Sequence, residues 1–135
     1  MYFFDTYALF ENLYGNPNYK KYGLFTLKVC ILNLAEFYAG LLREYGEKIA
    51  GDRYSKFDFE ILEITEGIII EAVKFRYENR KERISLADSI GYLSAKKHGL
   101  KFLTGDKFFE NKDGVEFVKW ILRNTIHEKL SIDQL

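Results

Sequence analysis

Apolar positions recur with two spacings along this chain, and the switches between them mark its elements. Tyr2, Phe3 and Phe4 form a short apolar run that stops at Asp5. Three residues are too few for a buried helix, so the run predicts a buried strand. Residues 7–14 look helical, with Tyr7, Phe10 and Tyr14 on one stripe and Gly15 as the stop. Gly15-Asn16-Pro17-Asn18 holds the single proline and is the clearest turn signal. Residues 31–45 carry Ile31, Leu34, Ala35, Tyr38, Leu41, Leu42 and Tyr45 at helical spacing, and Gly46 follows as a stop. That phase leaves Asn33, Glu36, Phe37, Gly40 and Glu44 on other faces, and a further helix is expected over residues 47–57.

Residues 59–64 alternate loosely and predict a strand. Thr65 can cap a helix carrying Ile68, Ile69, Ala72, Val73 and Phe75. Ser85 opens a helix to His98, which Gly99 closes. Residues 100–104 form a strand ending at Gly105-Asp106, and Gly114 introduces a last strand over 115–118. A terminal helix is expected from Trp120 onward. Strands alternating with helices predict βαβ units in one domain over residues 1–135. The expected architecture is α/β, with a parallel sheet covered on both faces.

Composition narrows the class. The chain has 135 residues, 47% of them hydrophobic and 17% aromatic, which excludes disorder and suits a single domain. Twenty Lys+Arg balance twenty Asp+Glu, so it is not a globally basic nucleic-acid binder. The balance hides segregation. Residues 58–71 carry five acids and no base, whereas residues 74–83 carry five bases against Glu78 and Glu82. The lone cysteine, Cys30, excludes an internal disulfide and a cysteine-rich zinc site, and suits a reducing compartment. Its ordinary reading is a small buried apolar residue. The N-terminus lacks a basic n-region, and the apolar stretch 30–42 is too short and too polar to span a membrane. The expectation is a cytoplasmic protein with no membrane partner.

In an open parallel sheet, ligands gather beyond the carboxyl ends of the strands. Asp5 and Asp106 each follow a predicted strand there. Glu36 and Asp88 lie near the starts of helices that begin at the same edge. Converging carboxylates repel unless protonated or bridged by a cation, and an all-oxygen set fits Mg2+ or Mn2+ better than zinc. Such an ion can activate water for attack on a phosphodiester. Each acid also has an ordinary reading. Asp88 completes a Ser-x-x-Asp capping pattern, Glu36 suits a helix start, and Asp106 suits a turn. Asp5 is the least ordinary, because a carboxylate directly after a buried strand needs a partner. An aspartyl phosphatase would need a second acid where Tyr7 stands.

The four acids sit in familiar surroundings. Phe3-Phe4-Asp5-Thr6-Tyr7-Ala8-Leu9, Leu34-Ala35-Glu36-Phe37-Tyr38, Leu86-Ala87-Asp88-Ser89-Ile90 and Leu103-Thr104-Gly105-Asp106 resemble, in order and spacing, the acidic motifs of PIN-domain nucleases. The resemblance is closest to VapC-type toxins and archaeal stand-alone PIN proteins. It implies a three-layer α/β/α sandwich with a mostly parallel sheet of four or five strands. It implies a metal-dependent endoribonuclease, the toxin of a type II toxin–antitoxin pair, with an antitoxin partner and a homodimer. Asp5, Glu36, Asp88 and Asp106 would bind Mg2+ or Mn2+, Thr104 would orient a carboxylate or water, and Thr6 would help hold the geometry. Many relatives carry another acid at the position of Phe108; here the next acid is Glu110, which either reaches the site or leaves a second ion weakly held. RNA needs positive charge. Lys107 and the run holding Arg80, Lys81 and Arg83 are the candidates, although such a run is ordinarily a solvated face. His98 reads as a helix C-terminal residue and His127 as incidental. The alternative function is a PIN-like interaction or scaffold module with weak or no nuclease activity.

Overall fold

The computed structural model describes residues 1–119, so the terminal helix expected from Trp120 and His127 lie outside the described residues. Five parallel strands make one sheet in the order β3-β2-β1-β4-β5, with β1 Tyr2–Phe4, β2 Leu27–Val29, β3 Phe59–Ile61, β4 Lys101–Thr104 and β5 Val115–Phe117. The helices are α1 Thr6–Leu13, α2 Ile31–Tyr45, α3 Glu47–Ser55, α4 Glu66–Glu78 and α5 Leu86–Lys97, with short 3-10 turns at Pro17–Leu24, Arg80–Glu82 and Lys107–Phe109. This is the expected α/β/α sandwich.

Period two in the strands sorts side chains between two aromatic cores. Phe3 pairs in register with Phe102, and both face the core under α4 and α5, with Ile68, Ala72, Ile90, Tyr92 and Phe109. Phe4 pairs with Leu103, and both face the core under α1, α2 and α3, with Leu9, Phe10, Phe37, Leu41 and Ala50. Helix α5 lies so close to the sheet that a Cβ on Gly91 would sit 3.2 Å from the rings of both Phe3 and Phe102.

Three details differ from the sequence reading. Strand β2 was not expected; its three residues, with Lys28 in the middle, carry too little pattern to show. Strand β3 is shorter than residues 59–64, because β2 offers three partners only, and Leu62 N–H adds one last bond to Val29 O at 2.7 Å. Helix α2 is rotated from its expected phase. Ile31 is 56% exposed, whereas Asn33, Leu34, Glu36, Phe37, Gly40 and Leu41 are buried. Phe37 turns this face inward by packing against Phe10, Phe57 and Phe59. The remaining helix and strand expectations agree with the structure to within a few residues. Among the described residues, no helix is long and apolar enough to cross a membrane.

Candidate active site

The chain walks outward from β1 to β2 to β3, then returns through α4 and α5 to β4 beside β1. The β1–β4 seam is therefore the switch point, where an open α/β sheet presents a crevice at its carboxyl edge. Asp5 caps α1 directly after β1, and its N–H extends the seam by bonding Leu103 O at 3.1 Å. Asp106 follows β4 across Gly105. Asp88 stands in the first turn of α5, which must start at this edge to feed β4. Glu36 lies in the second turn of α2, on its buried face.

Each carboxylate is held in place. Asp5 is 1% exposed; its Oδ1 accepts from Ala8 N at 2.8 Å, and its Oδ2 accepts from the Thr104 hydroxyl. Asp106 N–H donates to that same Thr104 oxygen at 3.0 Å, so Thr104 ties the first acid to the last. Asp106 Oδ1 accepts from Phe108 N at 3.0 Å, as the turn reading anticipates. Glu36, 4% exposed, accepts from the Thr6 hydroxyl at 2.7 Å. Ser85 caps α5 by accepting from Asp88 N at 3.0 Å. The capping pattern is real, and it fixes where the Asp88 side chain starts.

Burial and mutual repulsion dominate the electrostatics. Burial pushes the Asp5 carboxyl up to about 7, and the charges of Asp106 and Glu36 add to this against the Thr104 and Ala8 bonds. Asp88 is half-buried as a residue, with its carboxyl group set deep. Burial, then the charges of Asp5, Glu36 and Asp106, raise it well above the usual carboxylate range. Burial also raises Asp106, against the Phe108 bond. The Tyr7 hydroxyl is pushed upward by burial and then by Asp88, Asp5, Glu36 and Asp106. Tyr7 thus lies within the field of all four acids, a placement the sequence reading missed.

The structure brings Asp5, Glu36, Asp88, Asp106 and Thr104 to one edge. Glu110 closes the short turn after Asp106 and is exposed. Phe108 turns towards the second core, 6.2 Å from the Phe75 ring and 4.9 Å from the Phe109 ring. Lys107 is exposed beside Asp106. Arg80 and Arg83, with Arg76, line one cleft of about 530 Å3 that Tyr77 and Leu86 share; Lys81 is exposed nearby in the chain. Arg83 is the one non-glycine at positive φ (55°) among the described residues. His98 Nδ1 lies 2.9 Å from Ser94 O at the far end of α5, as its reading implies.

Among the described residues, no three His, Cys, Asp or Glu side chains are gathered tightly enough to grip one ion as they stand. The donors nevertheless suit a hard divalent ion: among the described residues, the candidate ligands are four carboxylates at one sheet edge, an all-oxygen set. Mg2+ keeps several of its waters and needs only one or two direct carboxylates, so a tight cage is not required.

The profile of the PIN domain matches residues 2–115. The chain belongs to the PIN domain family. Solved structures share its fold. A toxin–antitoxin complex from Klebsiella pneumoniae aligns with TM-score 0.69 at 22% identity, over 89% of this chain and 100% of that one. VapBC2 from Rickettsia felis, bound to a promoter DNA fragment, aligns with TM-score 0.70 at 17% identity, over 89% and 98%. FitAcB from Neisseria gonorrhoeae aligns with TM-score 0.70 at 21% identity, over 90% and 100%. No curated protein matches the chain in sequence. The family covers the β1–β4 seam, so all four acids of this PIN domain lie inside the matched segment.

Proposed function

We propose that this PIN domain is a Mg2+- or Mn2+-dependent endoribonuclease and acts as the toxin of a toxin–antitoxin pair. One observation carries the reading: acids from four separate segments meet at the switch point, and burial and mutual repulsion raise Asp5 and Asp88 together. Perturbed acids clustered in a crevice mark a functional site more often than a structural one. Asp5, Glu36, Asp88 and Asp106 would hold the ion, which when bound polarises a phosphoryl oxygen and lowers the pKa of water. The chain's own residues keep the geometry. Thr104 pins one Asp5 oxygen and accepts from the Asp106 backbone, so β1 and β4 cannot drift apart at the site. Thr6 pins Glu36. Glu110, exposed on the turn after Asp106, is the candidate to help hold a second ion.

RNA would approach over the exposed Lys107, with the cleft of Arg76, Arg80 and Arg83, and Lys81 beside it, receiving the backbone near the start of α5. Single strands bind through cations and stacking faces, and Arg80 already lies 4.5 Å from the Tyr77 ring centroid. The toxin assignment draws support from the names of the structural neighbours, two of which state a toxin–antitoxin complex or VapBC2; an antitoxin over the acidic groove and a homodimer belong to the same proposal.

The test is cleavage of end-labelled single-stranded RNA in Mn2+, with chelator and with Asp5→Asn as controls. Metal-dependent cleavage lost in Asp5→Asn supports the reading; equal cleavage by the variant overturns the site. Phe108 favours a second reading, an interaction module, because the ring packs inward where an acid would serve as a ligand. A wild type that binds its partner and cleaves no RNA in any divalent ion would establish that reading instead. An adjacent reading frame encoding a small DNA-binding protein checks the toxin assignment separately.

A further inference from the structure

Asn33 is a buried polar residue with no part in the chemistry above. It is 2% exposed and lies three positions before Glu36 on the same face of α2. The backbone N–H of Cys30 donates to its Oδ1 at 3.0 Å, and the Cys30 thiol donates to the same oxygen at 3.0 Å. The two ends of an amide are told apart by their partners. A backbone N–H can only donate, so the atom facing it must be the amide oxygen. The amide nitrogen, which can only donate, then faces Thr6 Oγ1 at 3.4 Å. The Thr6 oxygen therefore accepts a hydrogen bond from Asn33 and must direct its own proton elsewhere. It goes to Glu36 Oε1 at 2.7 Å. A single backbone N–H thus sets the polarity of a chain running Cys30, Asn33, Thr6, Glu36.

We infer that Asn33 is a positioning residue for Glu36, acting through the Thr6 hydroxyl, and that it raises the affinity of the carboxylate site for a divalent cation. The inference rests on the metal reading above. Partners that orient a ligand from behind typically contribute about 10–100-fold to metal affinity. A hydroxyl free to rotate would share its proton among several acceptors; the Asn33 amide removes that freedom.

The test is calorimetric titration of Mn2+ into the full chain in a double-mutant cycle, with melting of each metal-free variant as a check on folding. Thr6→Val is expected to weaken Mn2+ binding by about tenfold, and Asn33→Ala by a smaller factor. In the Thr6→Val background, Asn33→Ala should cost nothing further, because the hydroxyl through which it acts on Glu36 is gone. Thr6→Ser should bind Mn2+ like the wild type and remain sensitive to Asn33→Ala. A merely structural role would move the melting temperature, with an equal effect in both backgrounds. Equal losses in both backgrounds, or an unchanged Mn2+ affinity in Asn33→Ala, overturn the inference while wild-type binding leaves the metal reading intact. No Mn2+ binding by the wild type overturns both. If Asn33→Ala fails to fold, the Asn33 side-chain amide resonance decides in its place. It should shift on adding Mg2+ to labelled wild type and stay still in Thr6→Val; no shift in the wild type overturns the inference.

Discussion

Helix α1 carries a buried carboxylate near each end, and the two live in different company. Glu11 is 2% exposed, and its Oε2 accepts from the Asn16 amide at 2.7 Å, while Asn16 N–H bonds Glu11 O at 3.0 Å. Asn16 Oδ1 in turn accepts from Asn18 N at 2.9 Å. That acid locks the turn after its helix, where a neutral donor offsets the cost of burial. Asp5 is equally buried, but the charges that act on it belong to Asp106 and Glu36. Burial alone does not distinguish a functional acid from a structural one. What marks Asp5 is the sign of the charges that act on it, because like charges packed together raise one another's pKa and favour a bound cation.

The sharpest break between the two acids is chemical. Asp5→Asn should lower metal-dependent RNA cleavage by at least about a hundredfold, roughly 3 kcal/mol of barrier. Its metal-free melting temperature should stay level or rise. Single-turnover cleavage beside a thermal melt checks both.

The next effect is on stability against pH. The folded Asp5 carboxyl titrates near 7, above its unfolded value. Between the ordinary carboxylate range and pH 7, the folded protein keeps a proton that the unfolded chain has released. The site's contribution is therefore full at low pH and is lost as pH rises through about 7. Melts in chelator should show stability falling between pH 5 and pH 8 by a few kcal/mol, with a shallower slope in Asp5→Asn. Saturating Mn2+ should restore stability at pH 8, by about 2.7 kcal/mol at a hundredfold excess over its Kd.

The smallest effect belongs to the structural acid. Asn16→Ala strips Glu11 of its amide donor and Asn18 of its cap. It should cost about 1–3 kcal/mol of folding stability and leave cleavage per folded molecule within twofold. Denaturant unfolding together with a cleavage assay separates the two quantities. A large loss of cleavage with intact stability would mean that the two acids are not functionally distinct.

Much of this contrast was legible in the residues. Asp5 after Phe4 and Asp106 after Thr104 are acids at strand ends, and a parallel sheet puts such positions on one edge. The helix starts place Glu36 and Asp88 there as well. Helix α2 was placed correctly over residues 31–45, but its buried face was not. The apolar residues at 31, 34, 35, 38, 41, 42 and 45 suggested one stripe, of which Leu34 and Leu41 are buried, whereas packing of Phe37 among Phe10, Phe57 and Phe59 turned the helix from that phase. Residues 33, 36, 37 and 40 were the missed signal: two polar residues on the buried face that also bears Phe37 and Gly40. The direction of hydrogen bonds through Asn33 and Thr6 was not legible at all. The polarity of an amide is set by what folds against it, and Cys30 looked like an ordinary small apolar residue.

The carboxylate site itself is tested most directly by crystals of the full chain soaked in Mn2+, with anomalous scattering recorded at the manganese edge. The account predicts a peak among Asp5, Glu36, Asp88 and Asp106 that is absent from Asp5→Asn crystals. A peak elsewhere, or none in the wild type at millimolar Mn2+, would contradict it.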